Sequence, residues 1–286
     1  MAWRRLVAAL VAAAGLACAS ATNYLDPGGP LHEFRRDGPP RGADLSGPLR
    51  AVSFNIAYAV HIDRALEVLR ESEALRDPDV LALQEMDAPG TERIAKALGM
   101  NAVYFPSGVH PKHERDFGCA VLSPWPLEGP RKLVLPHGAR GSGLRRSATV
   151  ATIVRGAERV RVYSVHLPSP LAISGGSRKD ELRVLAADAA SSPDPVLIAG
   201  DFNSRGKLEE LERAGFTWLT RDLGDTTRFR LLGIPITGLS YDHFVARGLG
   251  LVPDAPALGV VADNHDASDH LPIWVLLEPA GAAARP

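Results

Sequence analysis

The stretch Val196-Leu197-Ile198-Ala199-Gly200-Asp201-Phe202-Asn203 reads as a buried β-strand that stops on polar side chains. Its four apolar residues predict the strand. Gly200 permits a close or unusual backbone turn, after which Asp201 and Asn203 project to one side while Phe202 packs the other way. A carboxylate and an amide side by side can take a proton from water and donate hydrogen bonds to a charged phosphoryl oxygen. Taken alone, the piece is better explained as an Asp/Asn loop, which is common after strands.

It is not alone. Ser53-Phe54-Asn55, Leu83-Gln84-Glu85 and Ser164-Val165-His166-Leu167 also end β-like apolar runs, and Ala267-Ser268-Asp269-His270-Leu271-Pro272 stands near the C-terminus. Asn55, Glu85, His166 and Asp201 thus lie at, or one residue past, the carboxyl end of a predicted strand. In open mixed sheets that edge is where ligands collect. Glu85 ends the run Asp79-Val80-Leu81-Ala82-Leu83-Gln84, and a carboxylate there is costly unless paired or bound to a cation. Mg²⁺ takes one or two carboxylates and keeps several waters. Asn55 adds an oxygen or holds Glu85 in position; strand-end capping accounts for it about as well. His166 and His270, with acidic neighbours, suit phosphoester hydrolysis as acid, base or donor to phosphate. Asp242, in Tyr241-Asp242-His243-Phe244-Val245, is placed to hold one imidazole in a fixed tautomer. A turn residue at the start of a strand explains it equally.

Outward from these pieces, β-rich runs occur at 49–56, 80–83, 101–105, 118–122, 132–135, 148–154, 160–165, 196–199, 241–245 and 273–277. Helical periodicity places Ile62, Ala65, Leu66 and Leu69 on one face, and Leu182, Leu185, Ala186 and Ala189 on another,. Strands outnumber helices, and 148–154 with 160–165 is spaced as a hairpin. Two packed sheets flanked by helices follow, rather than one parallel sheet.

Of 286 residues, 45% are apolar, enough to bury a sizeable core. The formal net charge of −1 removes the basic field of a protein that holds nucleic acid mainly through phosphates. Met1-Ala2-Trp3-Arg4-Arg5 followed by an apolar stretch to Ala19 has the form of an export signal, too short for the roughly 20 apolar residues of a membrane span. Gly15-Leu16-Ala17-Cys18-Ala19-Ser20 resembles a bacterial lipobox, although Gly15 stands where that pattern prefers Leu. Lipidation at Cys18 is weighed slightly above cleavage at Ala19-Ser20-Ala21. Either route leaves Cys119 as a lone cysteine, read as a small core residue. Residues 22–48, rich in Gly, Pro and charge, read as a flexible tether. A single domain over 49–279 and a tail at 280–286 complete the expected organisation.

Taken together and in this order, the motifs around Gly200-Asp201-Phe202-Asn203 and Ser268-Asp269-His270 resemble those of the endonuclease/exonuclease/phosphatase family, which includes deoxyribonuclease I. The resemblance covers about Leu49 to Leu277. It implies an α/β (α+β) four-layer sandwich, with two packed mixed β-sheets flanked by helices, and Mg²⁺-assisted in-line attack of water on phosphorus, with Mn²⁺ or Ca²⁺ as alternative ions. By the same resemblance Glu85 is the principal metal ligand, with Asn55 beside it and Asp269 near the metal. Asp201 orients or deprotonates the nucleophile and Asn203 stabilises the transition state. His166 and His270 contact the scissile phosphate, Asp242 supports His270, and Arg146 binds phosphate.

His243 departs from the family pattern, in which many relatives carry an aromatic residue or arginine. The apolar, turn-rich segment 228–241 is read as buried, with a lid or a lipid-touching loop as alternatives. His110-Pro111-Lys112-His113-Glu114-Arg115-Asp116 is read as a solvated loop in preference to a second metal site. Arg140, Arg145, Arg146, Arg178 and Lys179 are candidates for a phosphate-binding rim. The expected protein is an exported, monomeric phosphoesterase of the cell envelope, periplasmic or extracellular, held to the membrane through Cys18. Its substrate is extracellular nucleic acid, a phospholipid head group or a small phosphate ester. A catalytically silent binding protein on the same fold is the rival, and a serine hydrolase finds no nucleophile elbow.

Overall fold

The computed structural model describes residues 21–38, 47–204, 207–228, 230–231, 234–235, 239–253 and 256–280. The expected export signal with Cys18 and the residues after 280 lie outside the described residues. In chain order the strands are β1 (Thr22–Asn23), β2 (His32–Phe34), β3 (Leu49–Asn55), β4 (Val80–Met86), β5 (Asn101–His110), β6 (Arg115–Ser123), β7 (Leu127–Gly138), β8 (Arg145–Arg155), β9 (Glu158–His166), β10 (Val196–Asp201), β11 (Thr217–Trp218), β12 (Arg230–Leu231), β13 (Ile234–Pro235), β14 (Asp242–Arg247), β15 (Leu249–Leu251), β16 (Leu258–Val260) and β17 (Ile273–Pro279). The helices are α1 (Ile62–Glu71), α2 (Ala88–Leu98), α3 (Gly175–Ala190) and α4 (Glu209–Arg213).

One sheet runs β1-β5-β6-β4-β3-β17-β15, with β2 on β5 and β16 on β17; the other runs β11-β14-β10-β9-β8-β7. Both are mixed: β3 with β4 and β9 with β10 are parallel, and the remaining pairs are antiparallel. Three apolar clusters define the layers. Phe54, Leu83, Ile62, Leu66 and Ile94 pack the first sheet against α1 and α2. Ala51, Phe105, Val121, Val162, Leu197, Phe244 and Val275 fill the space between the sheets. Tyr163, Val165, Ile198, Phe202, Leu182 and Leu185 pack the second sheet against α3. The result is the four-layer helix, sheet, sheet, helix sandwich.

Strand alternation then decides which polar residues enter the gap between sheets. On β10, Leu197 and Ala199 belong to the inter-sheet cluster, so Asp201 faces the same way. On β3, Ala51 does so, and Asn55 follows it at the strand end. The two termini therefore meet across the gap. Between them Gln84 Nε2 donates to Ser164 Oγ at 3.0 Å, a polar bridge from sheet to sheet.

The tether expectation fails for residues 22–38. β1 pairs with Gly108 and Val109 and β2 pairs with residues 102–104, so that both strands lie on β5. Lys132, only 2% exposed, donates from Nζ to the carbonyls of Tyr24, Gly29 and Pro106. Backbone pairing and one buried ammonium hold the segment, and neither leaves an apolar period in the sequence. Helix α2 was likewise absent from the expected elements. Asp87 caps it, accepting from Gly90 N at 2.8 Å, and left-handed Gly99 ends it at φ 63°,.

Candidate active site

Asp201 Oδ2 is the hub. Asn55 Nδ2 donates to it at 3.2 Å and Asn203 Nδ2 at 3.1 Å. His166 Nε2 stands 3.4 Å away on one side and His270 Nε2 3.6 Å on the other. The sheet register explains the gathering, because Asp201 is opposite His166 on parallel β9 and opposite Asp242 on antiparallel β14. Gly200 makes this spacing feasible: its φ is 144°, and a Cβ there would lie 2.0 Å from Val165 O. Burial pushes the Asp201 carboxyl up to about 7, with Asp242 and Glu85 adding to the rise and His270 and the Asn203 backbone opposing it.

Glu85 reaches the site by a different device. Alternation along β4 puts Gln84 in the gap and would turn Glu85 toward the helices. The register with β6 instead shifts between Leu83 and Met86, and Glu85 adopts φ 58°. This bulge turns the carboxylate inward, where Asn55 Nδ2 donates to it at 3.4 Å and Tyr58 N at 3.0 Å. Burial raises its pKa, while Arg146 and His270 oppose that rise and Asp269 adds to it. Asp269 is exposed, at the rim of the same site.

His270 Nδ1 bonds Asp242 Oδ2 at 2.8 Å, and Thr226 Oγ1 donates to the same oxygen at 2.7 Å. Burial works against protonation of His270, but Asp242, Asp201 and Asp269 outweigh it and raise the pKa well above the usual value. His270 is therefore an imidazolium. Burial lowers the pKa of His166 well below the usual value, and Arg146, His270 and His110 push it further down. Arg146 lies with Cζ 4.4 Å over the Phe117 ring, and its Nε and Nη1 are shielded from solvent with no partner among the described residues. A guanidinium left open beside Glu85 and Asp201 is suited to phosphate oxygens.

Asn203 differs from expectation. Its amide donates to Leu167 O at 2.9 Å as well as to Asp201, so it braces the carboxylate and is not free toward a ligand. Arg178 is no rim residue: it is buried and donates to Phe202 O and Pro168 O, tying together the loops that follow Asp201 and His166. Arg140 and Lys179 are exposed, and Arg145 is half-buried. His243 faces away from the site, with Nε2 on Ser204 O at 3.0 Å and its ring against Trp218. Cys119 is a buried core thiol. In 228–241, β12 and β13 form a hairpin, while residues 232–233 and 236–238 lie outside the described residues. Thr226 and Asn264 escaped the sequence reading. The Asn264 amide donates to Ser268 O and His270 O, shaping the Asp269-His270 turn, and no motif marks either residue.

Two groups of side chains fit a cation to different degrees. Ligand atoms of Asp201, Asp242 and His270 lie within 4.8 Å of one another, but a protonated His270 hydrogen-bonded to Asp242 is no ligand. The other group is Glu85, Asn55 and Asp269. Among the described residues, Arg146, Arg178 and His270 are cations that interact with Glu85 or Asp201, and the Glu85 carboxylate with the Asn55 amide and Asp269 offers the oxygen donors that suit a divalent ion.

Residues 52–270 match the profile of the endonuclease/exonuclease/phosphatase family. The chain belongs to that family. Its members hydrolyse phosphoester bonds and typically depend on a divalent metal. An endonuclease/exonuclease/phosphatase from Beutenbergia cavernae DSM 12333 superposes with TM-score 0.62 at 24% identity, over 82% of this chain and 72% of that one. TDP2 of D. rerio, solved with a single-strand DNA product, gives 0.60 at 16% identity, over 80% and 98%. The mannosyl-6-phosphatase of Bacteroides thetaiotaomicron VPI-5482 gives 0.56 at 13%, over 80% and 99%. These likenesses support the shared fold. A search of curated proteins finds no match.

Proposed function

We propose that this chain is an exported, Mg²⁺-dependent phosphoesterase that cleaves a phosphodiester or phosphomonoester by in-line attack of water. One observation carries the reading: a single buried carboxylate oxygen, Asp201 Oδ2, lies between two histidines within 3.6 Å, beside Glu85 and the open guanidinium of Arg146. Asp201, oriented by Asn55 and Asn203, takes the proton of the attacking water as the new phosphorus–oxygen bond forms. His270, charged through Asp242, donates to the departing oxygen. Arg146 and neutral His166 hold the phosphoryl oxygens. Bound at Glu85, with Asn55 and Asp269 beside it, a divalent cation supplies Lewis-acid polarisation and charge compensation.

The leader-like residues 1–19 support export, and Cys18 supports a lipid anchor to the envelope. The mass of the mature N-terminus decides between lipidation at Cys18 and cleavage near Ala21. For the chemistry, the chain from Thr22 onward is assayed on plasmid DNA, RNA, sphingomyelin vesicles and simple phosphate mono- and diesters, with Mg²⁺, Mn²⁺ or Ca²⁺ and with chelator. Metal-dependent cleavage of one class, absent in Asp201→Asn, is the expected result. A folded wild-type protein that cleaves none of them would leave the silent binding protein as the better account.

A further inference from the structure

Beside the phosphoester site lies a cluster of rings that the reaction does not use. Tyr58 stacks on His113 with centroids 3.9 Å apart and planes 23° apart. His110 meets Tyr58 at 4.9 Å, His113 at 5.0 Å and Phe117 at 5.2 Å. Phe117 in turn lies 5.7 Å from the ring of His166 and beneath the guanidinium of Arg146. The rings thus run without a break from the phosphate-facing residues outward. Tyr58, His110 and His113 are half-buried, while Phe117 is buried behind them.

Residues 111–114 form the turn between β5 and β6, and Lys112, Glu114 and Arg115 are exposed as the solvated-loop reading has it, while His110 and His113 turn onto neighbouring rings in place of a second metal site. The two imidazoles stack with neighbouring rings, and Lys112 N donates to His110 Nδ1 at 3.3 Å, which occupies one nitrogen that a metal would need. Burial, joined by His113, Arg146 and Lys112, lowers the His110 pKa to about 4, so that ring is neutral at pH 7. His113 Nε2 is shielded and has no hydrogen-bond partner among the described residues, a polar atom facing an aromatic patch with nothing to bond. The position of Tyr58 is fixed from the catalytic side, because its N–H bonds Glu85 and the residues Ala57, Tyr58 and Ala59 all have positive φ, a conformation that is strained for side chains of this kind.

We infer that Tyr58, His110 and His113, backed by Phe117, form a subsite for a flat aromatic ring carried by the phosphoester, held by stacking while its phosphate reaches Arg146 and His166. The inference rests on the phosphoesterase reading and names the organic group that reading left open. Stacking on side-chain rings tolerates many ring types, so a nucleobase and a simple aryl group share the chemistry that would be recognised.

Binding tests this without turnover. Isothermal titration calorimetry compares phenyl phosphate with methyl phosphate, and adenosine 5′-monophosphate with ribose 5-phosphate, each with chelator present so that metal-dependent hydrolysis cannot contribute heat. Tighter binding of the ring-bearing member, by about tenfold or more, is expected in the wild type. His113→Ala and Tyr58→Ala should each remove most of that preference, and Tyr58→Phe should keep it. Preference in both pairs assigns the subsite to aryl groups in general; preference in the nucleotide pair alone assigns it to bases. Equal binding within both pairs in the wild type, or a preference that survives both alanine variants, overturns the inference. Hydrolysis of bis(4-nitrophenyl) phosphate by the wild type is scored separately and bears on the phosphoesterase reading alone.

Discussion

Asp201 has a histidine on each side, and the two rings differ in charge. Both rings point Nε2 at the same carboxylate oxygen, His166 from 3.4 Å and His270 from 3.6 Å. Burial acts on both to expel the proton. Behind His270 stands Asp242, and with Asp201 and Asp269 it reverses that tendency. Behind His166 stand Phe117 and Arg146, and the guanidinium reinforces the tendency. One ring is therefore a cation and the other neutral, although the sequence offers the same residue type at both places. The residue behind the ring, more than the ring itself, decides which can give up a proton.

The severest way to break this arrangement is to remove what both histidines face. Asp201→Asn keeps the volume but loses the base, and its single amide oxygen can accept either from the Asn203 N–H or from the Asn55 and Asn203 side-chain amides, not from both sets. Turnover should fall by about 10³ to 10⁴ with an unchanged circular dichroism spectrum. A loss of less than tenfold would show that another group takes the proton. Next in size is Asp242→Asn, which should make His270 resemble His166. Since His270 holds its proton because its pKa is raised, activity that needs the imidazolium declines as pH rises through that pKa. In Asp242→Asn the decline should begin at lower pH, with turnover at neutral pH down by about 10². An alkaline limb that does not move would detach Asp242 from His270's charge.

Arg146→Met tests the other side. The Michaelis constant should rise by about tenfold or more through the lost phosphate contact. The His166 resonance, followed by NMR, should titrate at higher pH than in the wild type, short of the ordinary histidine value because burial remains. An unmoved His166 would mean that burial alone keeps it neutral.

How far such roles were legible in the sequence depends on the kind of cause behind each. Apolar runs that end on Asn55, Glu85, His166 and Asp201 announce their strands, because side chains facing two packed layers must be apolar and chemistry collects at the open ends. Periodicity likewise exposes α1 and α3. Helix α2 was hidden because Asp87-Ala88-Pro89-Gly90, which starts it, also spells a turn. The inward aim of Glu85 depends on a bulge against β6, a pairing no local pattern encodes. Tyr58, Thr226 and Asn264 act through backbone positions and long-range contacts that carry no motif. Residues 22–38 dock through carbonyls on Lys132, and a carbonyl is present at every residue.

The smallest expected effect lies behind the His166 side, at a buried acid without an imidazole. Arg178, on α3, ties Phe202 O to Pro168 O, and Glu181 follows it on that helix, fully buried. Burial pushes its carboxyl from 4.5 to about 7 against the pull of Arg178 and Arg146. Between those values the native state holds a proton that the unfolded state has lost, so stability falls as pH rises through this window and is level above it. The penalty is on the order of 3 kcal/mol at most. Glu181→Gln removes it, and its melting temperature should exceed the wild type's by several degrees at pH 8, with the gap closing toward pH 4.5. His270 also costs stability as pH rises, but its window opens at the ordinary histidine value of 6.5 and extends upward. His166, with its pKa lowered, acts in the opposite sense and gains stability as pH rises toward 6.5. Melting curves of Glu181→Gln and Asp242→Asn across pH therefore separate Glu181 from His270. A gap for Glu181→Gln that stays constant from pH 4.5 to 8 would show that Glu181 remains ionised in its buried place, with Arg178 holding its charge.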